Sequence, residues 1–165
     1  MKVITLTQPW ATLVAIGAKH IETRSWATKY RGPLAIHAAA GLGPVGGRRG
    51  MFRLCHTPPF TEVLDAAGIW HTTAIDHLPY GAIVAVCELL DCRPTAGALG
   101  EQGIGPKYAD WVHELSASER AFGDYTPGRF AWLLANVRAL PEPIPAKGAL
   151  GLWNYDLPAA VLSEA

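Results

Sequence analysis

The sequence predicts an α+β protein with a mixed or antiparallel sheet, and three observations support that class. About six short segments are rich in β-branched or aromatic residues, and such a number of short strands could close into a small barrel. The helical segments do not alternate strictly with these strands, which argues against a doubly wound parallel sheet. Half of the 165 residues are hydrophobic, so a single domain over residues 1–165 can bury a sizeable core.

The N-terminal part of the chain contains three predicted strands and one predicted helix. β-branched residues predict the first strand over Lys2–Thr7. Gln8–Lys19 is typical of a short helix, because a proline is tolerated in its first turn and Gly17 can end it. Ile21–Trp26 predicts a second strand, and the apolar segment Gly32–Ala40 predicts a third that is buried on both faces.

The rest of the chain mixes loops, helices and one strong central strand. The glycine-rich, basic segment Gly41–Gly50 predicts a loop. Ser116 followed by Glu119 forms a capping-box pattern, which predicts a helical turn there. The other predicted elements are helices over 60–68 and 108–115, strands over 81–92 and 129–140, a proline-interrupted edge or turn over 142–148, and a last short strand over 149–155.

Charge and composition narrow the function classes. The chain carries 14 basic and 14 acidic residues, which argues against strong non-specific nucleic-acid binding but leaves room for a local basic cleft. It has no apolar run long enough to span a membrane and no secretory leader, so we expect no membrane partner. Three cysteines without a C-x-x-C pair suit a reducing compartment, so we expect a cytoplasmic protein. We also expect a monomer that needs no cofactor and no metal.

Three weaker patterns follow the third predicted strand. GLGPVG matches the G-x-G-x-x-G pattern of dinucleotide-binding proteins, but no helix is predicted directly after it and the next strong strand comes too late for a βαβ unit. Arg48, Arg49 and Arg53 could hold phosphates or could belong to a solvated surface loop, and the sequence leaves both open. His71 and His77 fit no zinc-site spacing, so no metal site is predicted.

The segment GAKHIETRSW concentrates opposite charges in a chain of which only 17% is charged. Because strand side chains alternate between faces, Glu22, Arg24 and Trp26 share one face of the predicted second strand. Lys19 can lean towards that face if the helix turns into the strand close to it. Glu22 would then hold fixed cations against an anion or a base edge, with Trp10 and Trp26 offering stacking surface. A surface ion-pair cluster explains the same spacing, and spacing alone leaves both interpretations open.

The N-terminal sequence closely resembles a known family. LTQPWATLVAIGAKHIETRSWATKYRGPLAIHA is similar to the start of the ASCH domain, the activating signal cointegrator homology family. The family signature G-x-K-x-x-E-x-R is matched by Gly17, Lys19, Glu22 and Arg24, and GRFAWLLANV and GLWNY resemble the closing strands of the cointegrator branch. The resemblance implies a PUA-like fold, that is, a small mixed β-barrel with surrounding helices, and a cleft between the barrel and the first helix.

The same resemblance implies a module that binds nucleic acid, in RNA metabolism or in transcription co-regulation. The expected partner is RNA, single-stranded DNA or a nucleotide-like ligand, because a small cleft in a neutral protein favours a few contacts plus stacking over a long duplex. Lys19 and Arg24 would engage a phosphate or a base edge, and Glu22 would orient them. The candidate ligand-binding residues are Trp10, Lys19, Glu22, Arg24, Trp26, Tyr30, Arg31 and Arg129.

Two alternatives stay open. One ASCH branch looks like an amidohydrolase that acts on acylated cytidine with a Lys, a Thr and a Glu, and another is similar to a metal-dependent ribonuclease. Lys19 matches the hydrolase lysine, but Glu22 stands where its threonine belongs, and Glu88 on the central strand could stand in for its glutamate. In an enzyme, Lys19 and Glu22 would be the catalytic residues. A protein-interaction module is the second alternative and would need an exposed apolar patch.

Overall fold

The computed structural model describes residues 1–69, 74–99, 106–159 and 161. The strands are β1 (Lys2–Leu6), β2 (Ile21–Arg24), β3 (Gly32–Ala38), β4 (Ala82–Pro94), β5 (Ala96–Leu99), β6 (Pro106–Tyr108), β7 (Phe130–Pro145) and β8 (Leu152–Asn154). The helices are α1 (Trp10–Ala15), α2 (Gly47–Cys55), α3 (Phe60–Ala66), α4 (Ala74–His77), α5 (Asp110–His113) and α6 (Ala117–Ala121).

Six of the strands form one mixed sheet in the order β2-β7-β4-β3-β1-β8, and β5 and β6 form a separate antiparallel pair. β1 runs parallel to β3, with Ile4 opposite Ile36, and antiparallel to β8. β2 runs antiparallel to β7. A sheet that combines both kinds of pairing with short helices is typical of the α+β class, and that predicted class is confirmed.

The first of two compact units consists of Met1–Ala18, Pro33–Cys87 and Asn136–Ala165. Its core includes Ile83 of β4, whose side chain is completely buried. The β3 residues Leu34–Ala38 are buried at every position, so the predicted burial of this strand on both faces is confirmed. Burial of apolar area at these strands is the main stabilising contribution to this unit.

The second compact unit consists of Lys19–Gly32 and Glu88–Ala135. Its core packs Ile21 of β2 against Val112 of α5 and against Tyr125, all of them buried. The unit therefore attaches the charged β2 segment to the helical region that follows β6. Seven of the eight candidate ligand-binding residues belong to this unit, and Trp10 belongs to the first.

The prediction of a glycine-rich loop over Gly41–Gly50 is wrong in its second half, because α2 begins at Gly47. Glycine lowers helix stability by about 1 kcal/mol relative to alanine, which is why the sequence pattern favoured a loop. Packing overrides that cost. A Cβ at Gly50 would collide with the carbonyl group of Val45, and the side chains of Met51 and Cys55 are buried below the helix.

Two other predicted elements have different boundaries in the structure. The helix predicted over 108–115 is shorter, because α5 covers Asp110–His113 and Tyr108 already belongs to β6. The strand predicted over 129–140 is longer, because β7 continues through the following prolines to Pro145. Proline has no backbone N–H, but it tolerates extended backbone conformations, so the strand can continue through it.

Two classes of feature are missing from the described part of the chain. None of its helices has the length and apolar character needed to cross a membrane. Over the same residues, no group of three or more His, Cys, Asp or Glu side chains is arranged to hold a metal ion. Of the two histidines weighed as ligands, His77 ends α4, and His71 lies outside the described residues.

Candidate functional site

Strand β2 presents its charged and its apolar residues on opposite faces. Ile21 and Thr23 are buried, whereas Glu22 and Arg24 are only partly buried. The strand is held in this orientation by its antiparallel pairing with β7, in which Glu22 lies opposite Trp132. The prediction that Glu22 and Arg24 share a face is confirmed, since the period of two leaves no other arrangement once Ile21 enters the core.

Glu22 connects two cations. Its Oε2 lies 3.7 Å from Nζ of Lys19, and its Oε1 lies 3.1 Å from Nε of Arg24. Glu22 is 13% exposed, Arg24 is 26% exposed and Lys19 is not exposed at all. The three signature residues thus form a chain of charges that runs from the interior towards the surface. The ion pair keeps the guanidinium of Arg24 close to this carboxylate.

The ammonium group of Lys19 is enclosed by protein. Nζ donates hydrogen bonds to the carbonyl oxygens of Ile21 and, at 2.9 Å, of Phe122. Burial lowers the pKa of Lys19 below its usual value, although the nearby carboxylates of Glu22 and Glu119 oppose that shift. In this arrangement Lys19 joins the start of β2 to the segment after α6. That Lys19 touches a ligand directly stays a prediction.

A carboxylate from α6 holds the backbone at the beginning of β2. Glu119 is 7% exposed, and its two oxygens accept hydrogen bonds from the backbone N–H groups of His20 at 3.0 Å and Ile21 at 3.1 Å. The hydroxyl of Tyr125 lies 3.4 Å from the same carboxylate. Burial and the Glu119 charge together raise the pKa of Tyr125, so its hydroxyl stays protonated and can donate.

Sequence reasoning identified Glu119 but missed this role. The predicted capping interaction at Ser116 is confirmed, because its Oγ accepts a hydrogen bond from the Glu119 backbone N–H at 3.0 Å. The Glu119 side chain instead accepts a hydrogen bond from the backbone N–H of Ile21, which lies 98 positions earlier in the chain. Helix-capping patterns are local, so no signal in the sequence could have found that partner.

Arg129 lies beside β2, immediately before β7 begins. Its Nη2 donates to the carbonyl oxygen of Thr23 at 3.2 Å, and its Nε donates to the carbonyl oxygen of Asp124 at 3.1 Å. Nε also lies 3.3 Å from the Asp124 carboxylate. Thr23 is the residue between Glu22 and Arg24, so the structure brings Arg129 to the same strand as the signature residues.

Trp26 follows β2 and packs on a buried tryptophan. Its ring centroid lies 4.7 Å from that of Trp132, with the ring planes at 87°. The Trp132 indole N–H donates to the carbonyl oxygen of Trp26 at 3.4 Å. Trp132 is completely buried whereas Trp26 is only partly buried, so Trp132 supports a ring that keeps some surface accessible.

Arg31 stabilises the loop that contains Trp26 and Tyr30 through hydrogen bonds to its backbone. Its guanidinium donates to the carbonyl oxygens of Thr28 at 3.0 Å and Tyr30 at 2.8 Å, and forms a 2.8 Å ion pair with Asp91. Burial raises the pKa of Tyr30. Arg31 therefore has clear partners within the loop, and any contact between Arg31 or Tyr30 and a ligand stays a prediction.

Trp10 and Glu88 are the remaining candidates from the sequence. Trp10 begins α1 in the first unit, where its ring meets Phe60 edge-on at 6.2 Å. That Trp10 and Trp26 form two walls of one cleft stays a prediction. Glu88 is partly buried on β4, and its service as a catalytic carboxylate also stays a prediction.

An α+β fold with a mixed six-stranded sheet and several short helices is consistent with a PUA-like domain. The chain belongs to the ASCH family: the ASCH domain model matches residues 4–144. This family is linked to RNA binding. The resemblance to the ASCH family is thereby confirmed. The charged residues of the signature are Lys19, Glu22 and Arg24, in which Glu22 contacts the other two.

The chain is also similar to two curated proteins. It is 26% identical over 157 residues to activating signal cointegrator 1 from Mus musculus, and 24% identical over 156 residues to activating signal cointegrator 1 from Homo sapiens. Each alignment covers 93% of this chain but only 22% of the relative. The chain therefore spans about a fifth of the length of these relatives.

Proposed function

We propose that this protein is a nucleic-acid-binding module that holds single-stranded RNA, or a similar strand, at the outer face of β2. The observation that carries the proposal is the chain from buried Lys19 through Glu22 to the partly exposed Arg24. Of the three charges, Arg24 has the largest exposed fraction, at 26%. Its ion pair with Glu22 keeps the guanidinium beside the strand, where it can bind a phosphate or a base edge.

Trp26 supplies the second kind of contact in this proposal. Its ring is fixed edge-on by Trp132 and is partly accessible, so one base can stack on it while Arg24 binds the adjacent phosphate. Arg129 adds positive charge beside Thr23. A neutral protein that makes few phosphate contacts should show a shallow salt dependence, with about 2 to 4 counterions released.

Lys19 acts in this proposal as a positioning residue. Its ammonium group is enclosed, so it contributes by holding Glu22 and the start of β2 in place. Lys19 and Glu22 would therefore affect binding through Arg24. The name of the curated relatives, activating signal cointegrator 1, agrees with a role in transcription co-regulation, and the family's link to RNA agrees equally with RNA metabolism.

The test compares charge-matched arginine variants. Fluorescence anisotropy would measure the Kd of labelled single-stranded RNA and DNA for the wild type, for Arg24→Gln and for the control Arg49→Gln, an exposed arginine in α2. We expect Arg24→Gln to weaken binding by roughly 10- to 100-fold, the value of one or two charge-assisted hydrogen bonds. Arg49→Gln should bind like the wild type. Equal affinities for all three proteins would refute the proposed site.

A hydrolase that uses Lys19 and Glu22 is the second candidate. The lowered pKa of Lys19 favours it, because the shift makes the amine easier to deprotonate than an ordinary lysine. The enclosure of Nζ by two carbonyl groups opposes it. Incubation with N4-acetylcytidine and with RNA, with and without Mg²⁺ or Mn²⁺, separates the two functions. Released products that disappear in Lys19→Ala and Glu22→Gln would make this protein an enzyme.

A further inference from the structure

The second unit contains a surface cavity that neither the sequence nor the proposed function uses. It has a volume of about 370 Å³, which is within the range of small-molecule sites. Its walls come from the end of β6, from α5, from α6 and from the segment that follows α6. The side chains that matter for its chemistry are Tyr108, His113, Arg120, Asp124, Tyr125 and Thr126.

One wall of the cavity is aromatic and accessible. Tyr108 is 42% exposed, and its ring lies 6.1 Å from the imidazole of His113 with the planes at 73°. The imidazole therefore supports the phenol ring at its edge. A tyrosine face of this kind is a stacking surface for a flat, conjugated group.

The lining also contains an exposed arginine. Arg120 is exposed on α6, and no carboxylate of the described residues forms an ion pair with it. The acidic residue of the lining, Asp124, is already engaged. Its carboxylate accepts hydrogen bonds from the hydroxyl and backbone N–H of Thr126 at 2.7 and 3.1 Å and lies 3.3 Å from Nε of Arg129.

Two residues of the lining, Tyr125 and Gly123, are closely packed. Tyr125 is buried, and its hydroxyl is directed at the Glu119 carboxylate that also holds β2. Gly123 lies directly against it, since a Cβ there would come within 2.7 Å of the Tyr125 ring and 3.2 Å of the Thr23 side chain.

We propose that this cavity binds one nucleotide, with the base on Tyr108 and the phosphate between Arg120 and His113. An aromatic ring and an arginine without an ion pair in the lining of one cavity match a planar base joined to an anion, and an imidazole N–H adds a second phosphate donor. The inference rests on the proposed function, because it assigns a second contact to the same ligand class. The nucleotide can be free or can be part of the bound strand.

The test measures binding of AMP, CMP, GMP and UMP by calorimetry to the wild type, Arg120→Gln, Tyr108→Ala and Arg24→Gln, with Arg49→Gln as the charge-matched control. We expect at least about a tenfold loss of affinity in Arg120→Gln and in Tyr108→Ala. Arg49→Gln should bind nucleotides like the wild type. Both Arg120 and Tyr108 are exposed, so their substitution leaves the core intact, and circular dichroism verifies this.

Further arms identify the group recognised and its source. Uridine, which lacks the phosphate, should bind at least about tenfold more weakly than UMP, and equal affinity would refute the role of Arg120. Displacement of UMP by single-stranded RNA would show that the cavity takes a nucleotide of the strand. Retention of UMP at saturating RNA would show that it takes a free nucleotide.

Failure of this inference is distinguishable from failure of the proposed function. Nucleotide binding that disappears in Arg24→Gln but persists in Arg120→Gln would place the nucleotide at β2 and refute the cavity. Absence of nucleotide binding, together with RNA binding that depends on Arg24, would refute the cavity and leave the proposed function standing. If nucleotide binding depends on Arg120 but the protein does not bind RNA, the cavity would be supported and the proposed function would be refuted.

Discussion

Two arginine-containing segments look alike in the sequence but differ in the structure. In the β2 segment, Glu22 lies between a completely buried lysine and Arg24, and all three charges are partly or fully removed from solvent. In α2, Arg48 forms a 2.8 Å ion pair with Asp76, and both side chains are more than half exposed, at 66% and 59%. Burial distinguishes charged residues whose loss would destabilise the fold from surface charges that contribute little to stability.

The comparison teaches that charge density alone identifies neither a site nor a surface. The sequence did not decide whether the α2 arginines hold phosphates or are solvated. In the structure, Arg48 forms an ion pair with a carboxylate at the surface. The β2 segment, by contrast, is joined to the α6 region in two ways: Lys19 donates to the carbonyl oxygen of Phe122, and the Glu119 carboxylate accepts from the backbone N–H of His20. Substitutions in the two segments should therefore have very different consequences.

The largest expected difference separates Lys19→Met from Arg48→Met. Loss of the Lys19 ammonium leaves the carbonyl groups of Ile21 and Phe122 without a donor and Glu22 without its buried cation, at a cost of about 3 to 4 kcal/mol. Arg48→Met should change the free energy of unfolding by less than about 0.5 kcal/mol. Urea unfolding followed by tryptophan fluorescence measures both. Similar losses in the two variants would contradict the distinction.

Chemical labelling tests the enclosure of Lys19 directly. An amine-reactive ester should modify the exposed Lys29 and Lys147 at least roughly 100-fold faster than Lys19, because the Lys19 ammonium becomes accessible only in open states. Mass spectrometry of peptides after a time course gives the three rates. Labelling of Lys19 as fast as Lys29 would show that Nζ is accessible, and it would strengthen the hydrolase alternative.

Glu119→Ala should be the next most harmful change. It leaves the backbone N–H groups of His20 and Ile21 without acceptors and should lower the free energy of unfolding by about 2 to 3 kcal/mol. The matched control is Glu114→Ala, at an exposed glutamate, with an expected change within about 0.5 kcal/mol. Hydrogen exchange should also accelerate at His20 and Ile21. Unchanged exchange there would contradict the role of Glu119.

The smallest expected effect concerns the pH dependence of the loop after β2. Hydrogen bonds from Arg93, from the Cys92 backbone and from Arg31 lower the pKa of Asp91 to about 2. A lowered carboxyl pKa in the folded state stabilises the protein above the ordinary value of 3.8, and this contribution is lost as the pH falls towards about 2. Asp91→Asn should flatten the pH dependence of unfolding in that window. An unchanged profile would show that these exposed pairs contribute nothing.

Local patterns predicted the parts of this fold that depend on neighbours in sequence. The alternation of apolar and polar residues predicted that Glu22 and Arg24 share a face, and the serine at position 116 predicted the start of α6. Local patterns also misled where packing outweighs propensity. The glycines of α2 favoured a loop, but Gly50 is required there by the close approach of Val45.

The sequence by itself determined the family, the α+β class and the residues that form the charged cluster, because a signature and the period of a strand are properties of adjacent residues. Only the tertiary structure decided what those residues do. It buried Lys19, brought the carboxylate of Glu119 to His20 across 99 positions, and created the cavity between Tyr108 and Arg120. Burial and long-range contacts depend on how distant segments pack, and no spacing along the chain encodes that directly.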